Sequence, residues 1–110
     1  MKKAFVTGGT GFIGSHLVEH LISLGVDVSA LIRTRKRWLE GLPVECISGD
    51  VRSVESIREP LSKVDTFIHC AALLTGSTQE ELDRVNVDST LAVVREAVAQ
   101  GVETIVVLSS

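Results

Sequence analysis

The residues best placed to do chemistry stand together near the start of the chain, in Thr7-Gly8-Gly9-Thr10-Gly11-Phe12-Ile13-Gly14. Gly9, Gly11 and Gly14 satisfy G-x-G-x-x-G, and Gly8, Gly11 and Gly14 satisfy G-x-x-G-x-x-G. Each glycine has its own physical task in such a turn. An early one permits the tight bend, Gly11 lets the main chain approach a diphosphate with no Cβ in the way, and Gly14 lets a helix pack close to a strand. The helix that follows offers unpaired N–H groups and a partial positive charge at its start. An apolar run, Lys3 to Thr7, precedes the turn and a helical pattern follows it, which is the context this motif requires. A Walker loop is excluded, because Ser15-His16 stand where Lys-Ser/Thr is needed. About 20 residues beyond such glycines, an acidic residue ordinarily binds the adenosine ribose and selects NAD. Here that place holds Arg33, followed by Arg35, Lys36 and Arg37. No carboxylate repels a 2′-phosphate there, and an arginine fork can grip one, so the expected cofactor is NADP, with NAD as the alternative. The bland reading of the same residues is a solvated basic loop.

These residues need a scaffold, and the hydrophobic pattern supplies one. After the first strand and turn, Phe12, Ile13, Leu17, Val18, Leu21, Ile22 and Leu24 recur at helical spacing, and Gly25 ends the helix. Val26 to Ile32 reads as a second strand, and Val44 to Ser48, after a longer loop from Arg33 to Pro43, as a third. Ser53 is the expected N-cap of a short helix running to about Leu61, shortened or bent by Pro60. Asp65 to Cys70 is a fourth strand. A long helix over 79–100 carries Leu82, Val85, Leu91, Val94 and Val98 on one face and is stopped by Gly101. Thr104 to Leu108, strongly β-branched, is a fifth strand. Strands alternating with helices imply βαβ units and a parallel sheet.

Composition narrows the function classes. The chain has 110 residues, 45% hydrophobic and 23% charged, which is one globular domain. A mean hydropathy of +0.31 fits a sheet buried on both faces. A net charge of −3 gives no electrostatic reason to expect a nucleic-acid partner. No apolar run reaches the roughly 18–20 residues of a membrane span, and the stretch after Met1-Lys2-Lys3 is too short for a signal peptide. No membrane partner and a cytoplasmic location are therefore expected. Two cysteines, Cys46 and Cys70, make neither a disulfide framework nor a metal cluster. No metal site is expected either from His16 and His20, four apart on the first helix with no third ligand nearby. His69, at the end of the fourth strand, reads as a buried structural histidine before a catalytic base. Cys70 reads as a small buried side chain before an oxidisable one, and Trp38 as packing for its loop before a stacking partner for adenine. Asn86 faces either the cofactor side of the long helix or a backbone carbonyl.

Taken in order, these stretches resemble the extended short-chain dehydrogenase/reductases, which include NAD-dependent epimerases and dehydratases and dihydroflavonol-reductase-like enzymes. The glycine stretch resembles their fingerprint, which implies pyrophosphate contacts at Gly8, Gly11, Phe12, Ile13 and Gly14. Gly49-Asp50-Val51-Arg52 resembles the motif whose Asp and following residue cradle adenine, here Asp50 and Val51. Asp65-Thr66-Phe67-Ile68-His69-Cys70-Ala71-Ala72 resembles D-x-x-x-H-x-A-A, which implies that Ala71 and Ala72 line the cofactor. Val85-Asn86-Val87-Asp88-Ser89-Thr90 resembles V-N-V-x-G-T, departing at Ser89. Val107-Leu108-Ser109-Ser110 resembles the strand end whose second serine, Ser110, is catalytic. In that family the serine orients the substrate oxygen while a Tyr-x-x-x-Lys pair moves the proton. The 110 residues contain no tyrosine.

The expected fold is a Rossmann-like, doubly wound parallel α/β sheet of five strands in the order 3-2-1-4-5, truncated before a sixth. The whole chain, 1–110, is then an incomplete NAD(P)-binding domain lacking the substrate domain. Its expected role is the dinucleotide-binding part of a reductase or an epimerase/dehydratase-like enzyme that moves hydride at nicotinamide C4 and is inactive alone. The alternative is a stand-alone, non-catalytic NADP-binding sensor or regulatory module. An FMN-binding flavodoxin-like reading fits less well, since the glycine turn suits a diphosphate. The expected partners are the dinucleotide, the parent enzyme's small-molecule substrate and a second copy of the chain. A homo-oligomer is expected because the fifth strand is an uncovered edge and the long helix keeps apolar surface.

Overall fold

The computed structural model describes residues 1–8, 12–32, 39–51, 53–70 and 79–108, and of 12–13 and 79–87 the backbone only. Along the chain run β1 (Lys3–Thr7), α1 (Phe12–Ser23), β2 (Asp27–Ile32), β3 (Glu45–Ser48), α2 (Glu55–Ser62), β4 (Thr66–Cys70), α3 (Gln79–Ala99) and β5 (Thr104–Leu108). All strand pairs are parallel, and the order across the sheet is β3-β2-β1-β4-β5, the order expected of a Rossmann-like fold.

The two-residue period of the strands divides the core. Ala4 and Val6 of β1, Val28 and Ala30 of β2 and Ile68 of β4 face one side, where Val18 and Leu21 of α1 and Leu39 cover them. Phe5, Leu31 and Phe67 face the other, against Ile57 and Leu61 of α2 and Val93 and Ala97 of α3. Phe5 and Phe67 lie side by side across the β1–β4 pair, ring centroids 5.9 Å apart. Both rings are fully buried, each contributing about 1.5–3 kcal/mol by leaving water. β1 and β4 are covered on both faces, which is the physical source of the high mean hydropathy.

Glycine stops two helices as the sequence requires. Gly25 (φ +82°) follows α1, with its N–H bonded to Ile22 O and the Val26 N–H to Leu21 O. Gly101 (φ +80°) closes α3 in the same way, through Val98 O and Ala97 O.

Several expectations need correction. Val26, Val44 and Asp65 each stand one residue before their strands. Val26 is spent closing α1, and Asp65 ties off the amino edge of the sheet, its carboxylate accepting the N–H groups of Lys2 (2.9 Å) and Lys3 (3.0 Å) and the Thr66 hydroxyl (2.7 Å). These bonds hold the Asp65 carboxyl down at about 2, against an ordinary 3.8, the Thr66 bond contributing most. Ser53 is not a side-chain cap: its hydroxyl points to Glu55, and only its carbonyl joins the first turn of α2, accepting from Ser56. Pro60 lies inside α2 and is buried, and the helix ends two residues past it. Of the apolar face expected on α3, the side chains of Leu82 and Val85 lie outside the described residues, Val94 is half-buried, and Leu91 and Val98 do not face the core. Val93 and Ala97 are buried, whereas Leu91 and Val98 are 47% and 64% exposed.

Along β5, Val106, Val107 and Leu108 are also exposed. Among the described residues no helix is long and apolar enough to cross a membrane.

Candidate functional site

Because the sheet is parallel, every strand delivers its carboxyl end to one edge. There Thr7 of β1 lies opposite His69 of β4, and Ile32 of β2 opposite Ser48 of β3. From β1 the chain passes to α1 on one face, and from β4 it passes to α3 on the other. The split between β1 and β4 is therefore the topological switch point, where open α/β sheets bind ligands. The start of α1, at Phe12, Ile13 and Gly14, stands at this edge. Its first turn holds no acidic residue, and a helix start carries a partial positive charge that favours an anion. Gly14 is buried.

Gly8 leaves β1 at φ +75°, a conformation side-chain-bearing residues rarely adopt. A Cβ there would overlap the Cys70 carbonyl oxygen and come within 2.8 Å of Cys70 Cβ. The exits of β1 and β4 thus press main chain against main chain at the switch point, which only glycine allows.

Below this contact a polar pair bridges the two strands. Thr7 Oγ1 and His69 Nδ1 share a buried hydrogen bond of 2.5 Å. Both side chains lie on the face of Phe5 and Phe67, and the His69 ring is 6.1 Å from that of Phe67. Burial pushes the His69 pKa below its ordinary 6.5, so the ring is neutral, as a structural histidine should be. Burial also pushes the half-buried Cys70 thiol above its ordinary value, which favours the protonated form. The sequence singles out His69 but not its partner Thr7, although strand alternation places both on one face.

Over β2 and β3 a second loop reaches the same edge. The Gly49 N–H donates to Ile32 O (3.0 Å), carrying the β2–β3 pairing one residue beyond the strand. Asp50 and Val51 follow, both half-buried. The Ser56 hydroxyl accepts the Asp50 N–H at 3.2 Å and lies 3.1 Å from the Asp50 carbonyl oxygen.

The structure therefore brings Gly8, Gly14, Asp50 and Val51, with the backbone of Phe12 and Ile13, to one edge of the sheet. Gly11, Arg33, Ala71, Ala72 and Ser110, and with them Trp38, lie outside the described residues. Cys46 and Cys70 are both free thiols, on strands separated by β2 and β1. Among the described residues no group of three His, Cys, Asp or Glu could hold a metal. A groove of about 560 Å³ runs between α2 and the β2–β3 margin, lined in part by Val44, Glu45, Glu59 and Lys63. It lies away from the switch point and is not the ligand edge.

A family model described as the NAD dependent epimerase/dehydratase family matches residues 4–110. Sterol demethylase protein B of Methylococcus capsulatus is 41% identical over 96% of this chain and 33% of its own length. Ceramide reductase of Caulobacter vibrioides is 35% identical over 94% of this chain and 33% of its own. Among solved structures, UDP-glucose 4-epimerase of Thermus thermophilus in complex with NAD superposes with a TM-score of 0.76 at 29% identity, covering 94% of this chain and 36% of that one. The chain spans about a third of the length of the curated relatives it matches.

Proposed function

The chain belongs to the NAD dependent epimerase/dehydratase family, and from that premise we propose that it is the dinucleotide-holding part of a nicotinamide-dependent oxidoreductase or epimerase/dehydratase. One observation carries the reading: the start of α1, with no acidic residue in its first turn, follows the place where the exits of β1 and β4 close on each other at Gly8 and Cys70. That arrangement fits a diphosphate, since it offers main-chain donors and a positive helix end with no carboxylate in the way. The NAD complex of the Thermus relative supports a nicotinamide dinucleotide as the class of ligand.

In this reading Gly8, Gly11, Phe12, Ile13 and Gly14 hold the pyrophosphate and Asp50 and Val51 hold adenine. Ala71 and Ala72 leave room beside the nicotinamide ribose end, and Arg33 grips a 2′-phosphate, so that NADP is preferred. When bound, the dinucleotide supplies or accepts hydride at nicotinamide C4. Ser110 orients the substrate oxygen. Proton transfer by a tyrosine is not available within these 110 residues, so the chain alone should turn over no carbonyl substrate.

Calorimetric titration with NADP and NAD tests the reading. NADP should bind more tightly, and Arg33→Asp should cost about 1.5–3 kcal/mol of that binding by removing a charge-assisted contact. Absence of heat with both coenzymes on folded protein would refute dinucleotide binding; an unchanged preference in Arg33→Asp would remove only Arg33 and the NADP assignment.

A further inference from the structure

We infer that Ser56 is a positioning residue for the adenine end of the dinucleotide, its hydroxyl fastening the loop of Gly49, Asp50 and Val51 to the first turn of α2. The inference rests on the proposed reading that Asp50 and Val51 hold adenine.

β3 is the outer strand of the sheet, so the loop that leaves it has a neighbour on one side only. The last sheet-like bond is Gly49 N–H to Ile32 O. Beyond it the main chain of Asp50 needs other partners, and Ser56 supplies them. Its oxygen accepts the Asp50 N–H (3.2 Å), and its one proton has two acceptors within reach, Ser53 O (2.7 Å) and Asp50 O (3.1 Å). The Ser53 N–H closes the same turn onto Asp50 O at 2.9 Å. A single hydroxyl thus touches both ends of the turn that sets the direction of Asp50.

This is more than the usual bond of a helical serine to the carbonyl three residues back. Ser23 and Ser62 make that bond, to His20 O and Glu59 O, each at 2.6 Å. Ser56 makes it too, and adds two contacts to a residue six positions away. The chain also clears space for it. A Cβ on Gly49 would stand 2.8 Å from Ser56 Oγ, 3.1 Å from Ser56 Cβ and 2.8 Å from Leu31 Cδ1. Gly49 is not among the positive-φ glycines, so its missing side chain serves room and not backbone conformation. Glycine at 49 and serine at 56 therefore act as one fitted pair.

The test compares Ser56→Ala, Ser56→Thr, Asp50→Ala and the Ser56→Ala/Asp50→Ala double variant, titrated with AMP and with nicotinamide mononucleotide as probes of the two ends. Ser56→Ala should weaken AMP roughly three- to tenfold, the loss of one hydrogen-bonding group, and leave the mononucleotide unchanged. Ser56→Thr, which keeps the hydroxyl, should recover most of the AMP affinity. The double variant should bind AMP no more weakly than Asp50→Ala, because Ser56 acts through that loop. Gly49→Ala, whose Cβ would crowd the Ser56 hydroxyl out of place while leaving residue 56 a serine, should repeat the Ser56→Ala pattern. Equal weakening of both probes in Ser56→Ala would reduce Ser56 to a general structural residue and overturn the inference. Weakened AMP in Asp50→Ala with unchanged AMP in Ser56→Ala would overturn the inference alone. Unchanged AMP in Asp50→Ala would bring down the adenine reading, and the inference with it.

Discussion

Replacing Gly8 with alanine should remove a large share of the chain's stability, and the structure separates the cost into two parts. The first is conformational: a residue with a Cβ held at φ +75° carries a penalty of about 1–2 kcal/mol. The second is steric: the new Cβ overlaps the Cys70 carbonyl oxygen and lies 2.8 Å from Cys70 Cβ, so β1 and β4 must part at their carboxyl ends. Forced overpacking of this kind costs about 1–3 kcal/mol. Together they amount to roughly 2–5 kcal/mol, against a stability of about 5–15 kcal/mol for a typical domain. Gly25→Ala provides the control, because Gly25 has φ +82° with no atom within 4 Å of its would-be Cβ. It should show the conformational part alone. Urea unfolding of the two variants should then differ by about 1–3 kcal/mol, a midpoint difference on the order of 1 M. Cys70→Ala should not rescue Gly8→Ala, since the colliding atoms are a carbonyl oxygen and a Cβ that alanine also carries. If Gly8→Ala and Gly25→Ala unfold within about 0.5 kcal/mol of each other, the close approach of the two strand exits is not what makes position 8 a glycine.

His69 predicts a dependence on pH: its folded pKa lies below the ordinary 6.5, so its contribution is complete above 6.5 and is lost as pH falls below that value. Urea stability should drop between pH 7.5 and 5.5, and drop less in His69→Asn; equal drops would clear His69 as the cause. Asp65 acts lower on the scale: with its carboxyl at about 2 against 3.8, its contribution is present above about pH 4 and lost as pH falls towards 2. Asp65→Asn should flatten the acid limb of the stability curve there, and an unchanged limb would show that the amino-edge bonds do not matter to folding. The open margin of β5, with Val106, Val107 and Leu108 each at least 36% exposed, should drive self-association detectable by light scattering, and Val107→Lys should reduce it. A monodisperse wild-type monomer would count against that.

Most of the fold was legible because the sheet is buried twice over. Runs such as Ala4-Phe5-Val6 and Thr66-Phe67-Ile68 can be little else than inner strands, and Gly25 and Gly101 mark their helix ends by the one conformation they supply. The helix faces were harder. In α3, Leu91, Val94 and Val98 form as good a stripe as Val93 and Ala97, and only the position of the sheet decides that the smaller pair goes inward. Ser53 looked like a cap because its type suits one; the Ser56 N–H that a capping hydroxyl would accept goes to the Ser53 carbonyl instead. For the site, local motifs pointed to Gly8, Gly14, Asp50 and Val51, whereas the Thr7–His69 bond spans 62 positions and depends on the β1–β4 register, which no local pattern contains.

That register explains why the carboxyl edge can be both open and firm. An edge that presents bare main chain to a ligand gives up the side-chain packing that would otherwise hold the strand exits together. At β1 and β4 the loss is offset from beneath: the neutral His69 and the Thr7 hydroxyl satisfy each other in a site too dry to leave either unpaired, and Gly8 lets the two backbones meet directly above them. At β3, an outer strand with one neighbour, the same problem is met from the side, by a helix hydroxyl admitted through the gap at Gly49. The glycines of this chain are therefore not all there for the ligand. Gly8 and Gly49 are fixed by what stands behind them, Cys70 in one case and Ser56 with Leu31 in the other.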